Sequence, residues 1–155
     1  MNIGFVSFRL AGTDGVSLET SKWAEVLHRM GHQIYYFAGE LDPPGTNGSL
    51  LSVPLAGTQL VDRAHFTHAM ALWIAQNAFG TVQEHERLRI RMENAAAILK
   101  RALMDFINRF HIDLIVAENV FAIPLNLPLS MALRRVISET GIPTIAHNHD
   151  FYWER

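Results

Sequence analysis

Short apolar runs alternate along this chain with longer segments of helical period, and this alternation constrains the fold more than any other feature. The predicted strands are the apolar runs 3–8, 33–38, 50–55 (the weakest), 114–117 and 143–146. The predicted helices run from an N-cap at Ser17 to a stop at Gly31, and over 60–79, 84–110 and 128–140. Strands and helices in alternation form right-handed parallel crossovers. We therefore expect one α/β domain, residues 1–155, with a Rossmann-like, doubly wound, mostly parallel sheet in the order 3-2-1-4-5.

Composition removes several classes of function. The chain has no cysteine, which excludes disulfides, thiolate catalysis and zinc–cysteine sites and fits a cytoplasmic protein. A net charge of −2 lacks the basic footprint of a nucleic-acid binder. The apolar stretch 114–133 is interrupted by Glu118, Asn119 and Pro128, so we expect no transmembrane segment, and the first residues do not form a signal peptide. An enzyme or a binding domain for small molecules is the class that remains.

Polar residues follow three of the predicted strands directly. Residues 9–17 follow the first strand, Glu118 and Asn119 follow the fourth, and residues 147–150 follow the fifth. In a doubly wound sheet, ligands bind outside the carboxyl ends of the strands, near the point where the strand order reverses. The three loops therefore predict one binding site at that edge of the sheet.

The first of these loops contains Gly12, Thr13, Asp14 and Gly15 and leads into a helix. Glycine lets the backbone approach a ligand closely, and the exposed amides of a helix N-terminus suit a phosphate or a sugar hydroxyl. A tight strand-to-helix turn without a ligand is the alternative. The spacing differs from the dinucleotide pattern Gly-x-Gly-x-x-Gly, which counts against an NAD enzyme.

The other two loops carry acids and imidazoles. Glu118 is suited to accept hydrogen bonds from sugar hydroxyls or to position a proton acceptor, although it could instead cap a helix or face solvent. His147 and His149 share one side of an extended segment and could donate to a diphosphate or bind a metal. With Asp150 they would form the site of a small metallohydrolase, but a fuller His-x-His-x-Asp-His run is absent, so no metal is predicted. Trp23 lies at a helical spacing that indicates a core position.

Taken in order, these segments resemble the N-terminal domain of GT-B glycosyltransferases of the family 4 type. The resemblance covers nearly the whole chain. Its matching segments are the opening strand, the loop 12–17, Met30-Gly31-His32 with the strand after it, and residues 114–119, 127–133 and 141–155.

The resemblance implies a retaining hexosyltransferase in which the N-terminal domain binds the acceptor and a C-terminal domain holds a UDP- or GDP-sugar. It assigns contact with the donor diphosphate to the loop Gly12, Thr13, Asp14 and Gly15. It places Glu118 and Asn119 against the transferred sugar or acceptor, and residues 147–150 at the cleft. We expect Glu118, Asn119 and His147 to be catalytic, and His149, Asp150 and the aromatic Tyr152 to bind substrate. Such enzymes usually need no bound metal or cofactor, because positive groups and helix dipoles stabilise the leaving diphosphate.

The donor-binding domain that the resemblance implies is absent from these 155 residues. The implied partners are a sugar or glycosylated small-molecule acceptor and the missing C-terminal domain or an equivalent chain. We expect the chain by itself to be inactive, because half a cleft neither orients two substrates nor excludes water. A homo-oligomer and peripheral attachment to a membrane are left open, and a non-catalytic Rossmann-like module that binds a nucleotide or sugar is the main alternative.

Overall fold

The computed structural model describes residues 1–42, 53–80 and 84–150, and in these ranges five parallel strands alternate with helices. The elements are β1 Asn2–Ser7, α1 Gly15–Arg29, β2 Gln33–Ala38, β3 Gly57–Leu60, a 3-10 turn Asp62–Ala64, α2 Ala69–Phe79, α3 His85–Phe110, β4 Leu114–Glu118, α4 Leu127–Thr140 and β5 Thr144–His147. The sheet order is β3-β2-β1-β4-β5, with every neighbouring pair parallel. The predicted α/β fold and its strand order are confirmed.

The start of α1 differs from the prediction by one turn. The N-cap is Asp14 and not Ser17: the Asp14 carboxylate accepts the backbone N–H groups of Val16 and Ser17 at 3.1 and 3.2 Å. The Ser17 hydroxyl is buried within the first turn, where it donates to Asp14 at 2.7 Å. A carboxylate is a strong cap because it also complements the positive end of the helix dipole. The predicted stop is confirmed, since Gly31 has a φ of 90°.

The predicted strand 50–55 is wrong in position. Residues 50–52 lie outside the described residues, residues 53–55 are not in a strand, and β3 begins at Gly57. Among the described residues β3 lies at the edge of the sheet and pairs with β2, and its residues alternate between half-buried and exposed. A strand of this kind does not need an apolar run, so hydrophobicity is a poor guide to it.

The predicted helix 60–79 is wrong over its first half. Leu60 still belongs to β3, and α2 begins only at Ala69, where the imidazole Nδ1 of His68 accepts the N–H of Met70 at 3.1 Å. The buried Asn126 donates its side-chain N–H groups to the carbonyls of Arg63 and Ala64, at 2.9 and 3.1 Å. Those carbonyls therefore bond to a side chain distant in sequence. The backbone forms the 3-10 turn Asp62–Ala64 and is extended again at His65.

Helices cover both faces of the sheet. On one face, the apolar stripe of α3 packs with α4 against the strands; its buried members include Leu99, Leu103, Phe106, Leu129 and Leu133. On the other face, Ala24 of α1 packs over Phe5 and Tyr36. A parallel sheet covered in this way leaves polar chemistry to the ends of its strands. No helix among the described residues is long and apolar enough to cross a membrane.

Candidate functional site

A buried carboxylate lies at the carboxyl end of β4, the strand between β1 and β5. Glu118 is the last residue of β4, is paired in register with His147 at the end of β5, and is 0% exposed. Its Oε2 atom lies 3.0 Å from Nδ1 of His147 and 2.7 Å from Nε2 of His149. We call these three residues the rim cluster. Two imidazoles therefore satisfy a carboxylate that would otherwise be costly to bury.

The residue after the strand fixes the geometry of the rim cluster. Asn119 has a φ of 58°, in the left-handed region that asparagine tolerates better than most residues. Its Oδ1 accepts the backbone N–H groups of His149 and Asp150, at 2.7 and 3.4 Å. Its buried Nδ2 has no hydrogen-bond partner among the described residues. Asn119 thus holds the segment after β5 in place and retains a free donor at the site.

Trp23 of α1 packs against the rim cluster through the ring of His147. Its ring centroid lies 4.5 Å from that of His147, whose ring in turn lies 4.3 Å from that of His149. Trp23 is 36% exposed, so the core position predicted for it is wrong. Trp23 instead contacts an imidazole at the edge of the sheet, and nothing in the sequence around Trp23 indicates that contact.

The first loop is held by its own polar groups. Arg9 forms an ion pair with Asp14 at 3.1 Å, and its guanidinium lies 5.6 Å from the centre of the Phe66 ring. Burial raises the pKa of Asp14, but the hydrogen bonds from Ser17 and the charge of Arg9 outweigh it, and the net shift is downward. Gly12 has a φ of 70°, and its N–H donates to Asp42 at 3.0 Å.

The loop and the rim face each other across a cleft of about 620 Å³, at the point between β1 and β4 where the strand order reverses. The polar residues that line the cleft are Ser7, Arg9, Asp14, Glu19, Asn119, His149 and Asp150, with the backbone of Gly15. Five of the residues proposed from the sequence therefore share one cleft. Glu118 and His147 contact His149 behind the cleft wall.

Two proposed residues lie elsewhere, and a third is not described. Gly12 and Thr13 are exposed and are not in the cleft wall; Gly12 borders a separate cavity of about 10 Å³. Tyr152 lies outside the described residues. Arg9 and Trp23 are the site residues that the sequence reasoning missed. Arg9 directly follows the apolar run 3–8, and its position could have been noticed in the sequence. The interpretation of this loop from its glycines left out the positive charge of Arg9.

The rim cluster also brings together potential metal ligands. One ligand atom from each of Glu118, His147 and His149 lies within 4.8 Å of the others. Asp150, which the sequence interpretation grouped with the two histidines, does not belong to this set. A carboxylate and two imidazoles form a donor set that zinc accepts in proteins.

The sheet defines the chain as a Rossmann-like domain, with a polar cleft at the edge of the sheet where such domains bind ligands. Over its whole length it is 29% identical to the mannosylglucosylglycerate synthase of Petrotoga mobilis and 30% identical to that of Thermotoga maritima. The chain spans 33% of the length of each relative. No protein-family model matches it. The predicted relationship to glycosyltransferases is confirmed, and the chain corresponds to one part of such an enzyme.

A solved structure agrees with the fold. The chain superimposes with a TM-score of 0.50 on a deacetylase of the teicoplanin biosynthesis pathway, solved as a complex with BOG. The two are 11% identical, and the match covers 93% of this chain and 65% of that one. Acinetobacter baumannii MurG gives a TM-score of 0.47 at 17% identity, over 95% of this chain and 34% of that one. At such low identity the first match supports the Rossmann-like fold and no particular activity.

Proposed function

We propose that this chain is the N-terminal, acceptor-side domain of a retaining, nucleotide-sugar-dependent hexosyltransferase of the two-domain GT-B type. One observation carries the proposal: the first loop and the rim meet in a single cleft at the strand-order reversal, in a chain similar along its whole length to two mannosylglucosylglycerate synthases. The donor, a UDP- or GDP-sugar, would be held by the facing C-terminal domain. A cytoplasmic location, free or peripheral to a membrane, belongs to the same proposal and fits the absence of cysteine.

One residue in the cleft, Arg9, supports an anionic acceptor, against the three carboxylates Asp14, Glu19 and Asp150 that also line the cleft. Arg9 has the one permanent positive charge among the described residues that line the cleft. Its partner Asp14 is already bound by two backbone N–H groups and the Ser17 hydroxyl, so the guanidinium retains donors for a second carboxylate. The names of both relatives contain glycerate, a carboxylic acid. We therefore take glucosylglycerate as the acceptor to test.

The rim supplies the hydrogen bonds that orient the sugar. His149 lines the cleft, and the contact between its Nε2 and Glu118 fixes the plane of its ring. Asn119 adds a buried amide donor without a partner among the described residues. Held in place in this way, the two side chains would bind hydroxyls of the acceptor or of the transferred sugar, with Glu118 and His147 behind them as the positioning pair.

The donor diphosphate would contact the loop Gly12–Gly15 only in part. The Asp14 carboxylate already accepts the N–H groups of Val16 and Ser17 in the first turn of α1. A second anion at this helix N-terminus would therefore meet a negative charge as well as the helix dipole. We expect most of the affinity for the donor to come from the facing domain, and the 155-residue chain by itself to bind acceptor without transferring sugar.

Calorimetric titration of the 155-residue chain tests acceptor binding. Glucosylglycerate is compared with glucosylglycerol, which has the same sugar but no carboxylate. We expect at least about tenfold tighter binding of the acid, because an ion-paired carboxylate contributes more than a neutral hydrogen bond. Arg9→Ala should remove that preference, and His85→Ala, at an exposed position in the first turn of α3, should keep it. Equal binding of the two compounds would contradict an anionic acceptor.

Transfer is tested by joining the chain to the part of the Thermotoga maritima relative that lies beyond the matched third. The hybrid is assayed with UDP-glucose and GDP-mannose as donors. Glu118→Gln should lower kcat about 100-fold or more, because it loses the charge that orients His149, whereas His85→Ala should leave kcat unchanged. A hybrid that binds the acceptor but transfers from neither donor would favour the non-catalytic binding module.

A further inference from the structure

We propose that Glu118, His147 and His149 bind a divalent transition metal ion, with zinc as the best match, and leave a coordination position open toward the cleft. This site goes beyond the proposed glycosyl transfer and does not depend on it. It differs from the metallohydrolase site considered from the sequence, because Glu118 takes the place of Asp150.

The distances are close to those of a metal site. The two imidazole nitrogens approach the same carboxylate oxygen, at 3.0 and 2.7 Å. Ligand atoms of a tetrahedral zinc ion lie about 2.0–2.2 Å from the metal and therefore about 3.3 Å from one another. The two nitrogen-to-oxygen distances would each have to lengthen by about half an ångström or less, and the ligand atoms of all three residues already lie within 4.8 Å of one another.

The charges near the rim cluster favour a cation. Glu118 is fully buried, and its ion-pair partners in the described residues are the two histidines, with no lysine or arginine among them. Glu19 of α1 adds a second carboxylate in the wall of the adjoining cleft. Neutral imidazoles leave the buried negative charge uncompensated, whereas a dication neutralises it.

The ligands are held before any ion binds. Glu118 and His147 end two adjacent strands in register, and Asn119 fixes the backbone of His149 through a 2.7 Å hydrogen bond. Trp23 packs against the ring of His147. Supporting contacts of this kind lower the cost of organising a metal site. Because His149 also lines the cleft, the open position would face the cleft, where water or an oxygen atom of a ligand would complete the coordination.

Zinc fits the donor set better than the hard divalent cations. Two imidazoles and one carboxylate, with one remaining position, are the ligands of a known class of catalytic zinc site. Magnesium and calcium favour sites made of oxygen atoms. The competing arrangement is a metal-free hydrogen-bonded triad in which each imidazole donates a proton to Glu118. The two arrangements use the same atoms, so a metal titration separates them.

The test is a calorimetric titration of the chelator-treated 155-residue chain with Zn²⁺, in the absence of any sugar or nucleotide. We expect one equivalent to bind with a Kd of about 1 µM or tighter. His147→Ala and His149→Ala, at partly exposed positions, should each weaken binding about 100-fold, and the surface variant His85→Ala should bind as the wild type does. Magnesium should give no comparable heat.

Two results would overturn the metal site: no saturable zinc binding by the wild type, or undiminished binding by the His147→Ala/His149→Ala double variant. Glu118→Gln is a further ligand variant, and circular dichroism checks that it folds. If it does not fold, the histidine variants decide the question. Because no sugar is present, failure of this test leaves the acceptor-binding and transfer experiments unaffected.

Discussion

The two walls of the cleft are built differently. The first wall is a backbone turn in which Asp14 satisfies the start of α1 and pairs with Arg9. The second wall consists of side chains at the ends of β4 and β5, where a fully buried carboxylate meets two imidazoles. There the side-chain N–H group of Asn119 has no partner in the part of the chain that the structure describes. Most polar groups of the first wall therefore bond to one another, whereas the second wall still has a hydrogen-bond donor to offer. If the proposed function holds, the loop shapes the cleft and contributes one binding group, Arg9, whereas most of the polar chemistry lies in the second wall.

The largest effect is expected from Asn119→Ala. Alanine pays about 1 kcal/mol for a φ of 58° and leaves the N–H groups of His149 and Asp150 without their acceptor, which costs about 1–2 kcal/mol more. Urea unfolding should show a total loss of about 2–3 kcal/mol. Asn119→Gly is the matched control, since it accepts the backbone angle but lacks the side chain.

The difference between these two variants measures the backbone contribution. We expect Asn119→Gly to lose about 1 kcal/mol less than Asn119→Ala. If both variants unfold at the wild-type urea concentration, Asn119 does not hold the segment after β5, and the rim is no more ordered than an ordinary loop.

A smaller effect is expected at the first wall, from Asp14→Ala. Loss of the N-cap should destabilise the chain by about 1 kcal/mol, because two N–H groups in the first turn of α1 lose their acceptor. Asp14→Asn should retain most of that stability, since asparagine caps a helix nearly as well, and it isolates the effect of the charge. Thermal unfolding of the three proteins at neutral pH provides the measurement. Loss of acceptor binding in Asp14→Asn, with stability unchanged, would assign chemistry to the loop and reverse the comparison.

The sequence predicts the frame of this site well, for a physical reason. Buried parallel strands are apolar along their whole length, so the first polar residue after each run marks the carboxyl edge. For β4 and β5 that residue is Glu118 or His147. Right-handed crossovers restrict the strand order to a few arrangements, and the meeting of the three loops follows from the doubly wound order among them.

The remaining features depend on contacts between residues distant in sequence. The burial of Glu118 requires two imidazoles about thirty residues further along, and the exposed position of Trp23 depends on one of them. The late start of α2 depends on Asn126, which binds carbonyls more than sixty residues before it. Local periodicity contains none of this information, which is why the predicted helix 60–79 was too long.

The smallest effect is a difference in acid stability between the wild type and Asp14→Asn. The pKa of Asp14 is lowered from 3.8 in the folded chain: burial opposes the shift, and the hydrogen bonds from Ser17 and the charge of Arg9 outweigh it. A lowered pKa means that folding favours the ionised carboxylate, so this stability is fully present above pH 3.8 and is lost as the pH falls through the folded-state value. Asparagine does not titrate, and other acidic groups act equally on both proteins. The advantage of the wild type in urea unfolding should therefore be constant between pH 7 and about pH 5 and should shrink toward about pH 3. An advantage that grows as the acid is added would mean that Asp14 is held in its protonated form, and the first wall would then have an unsatisfied carboxyl group of its own to offer a ligand.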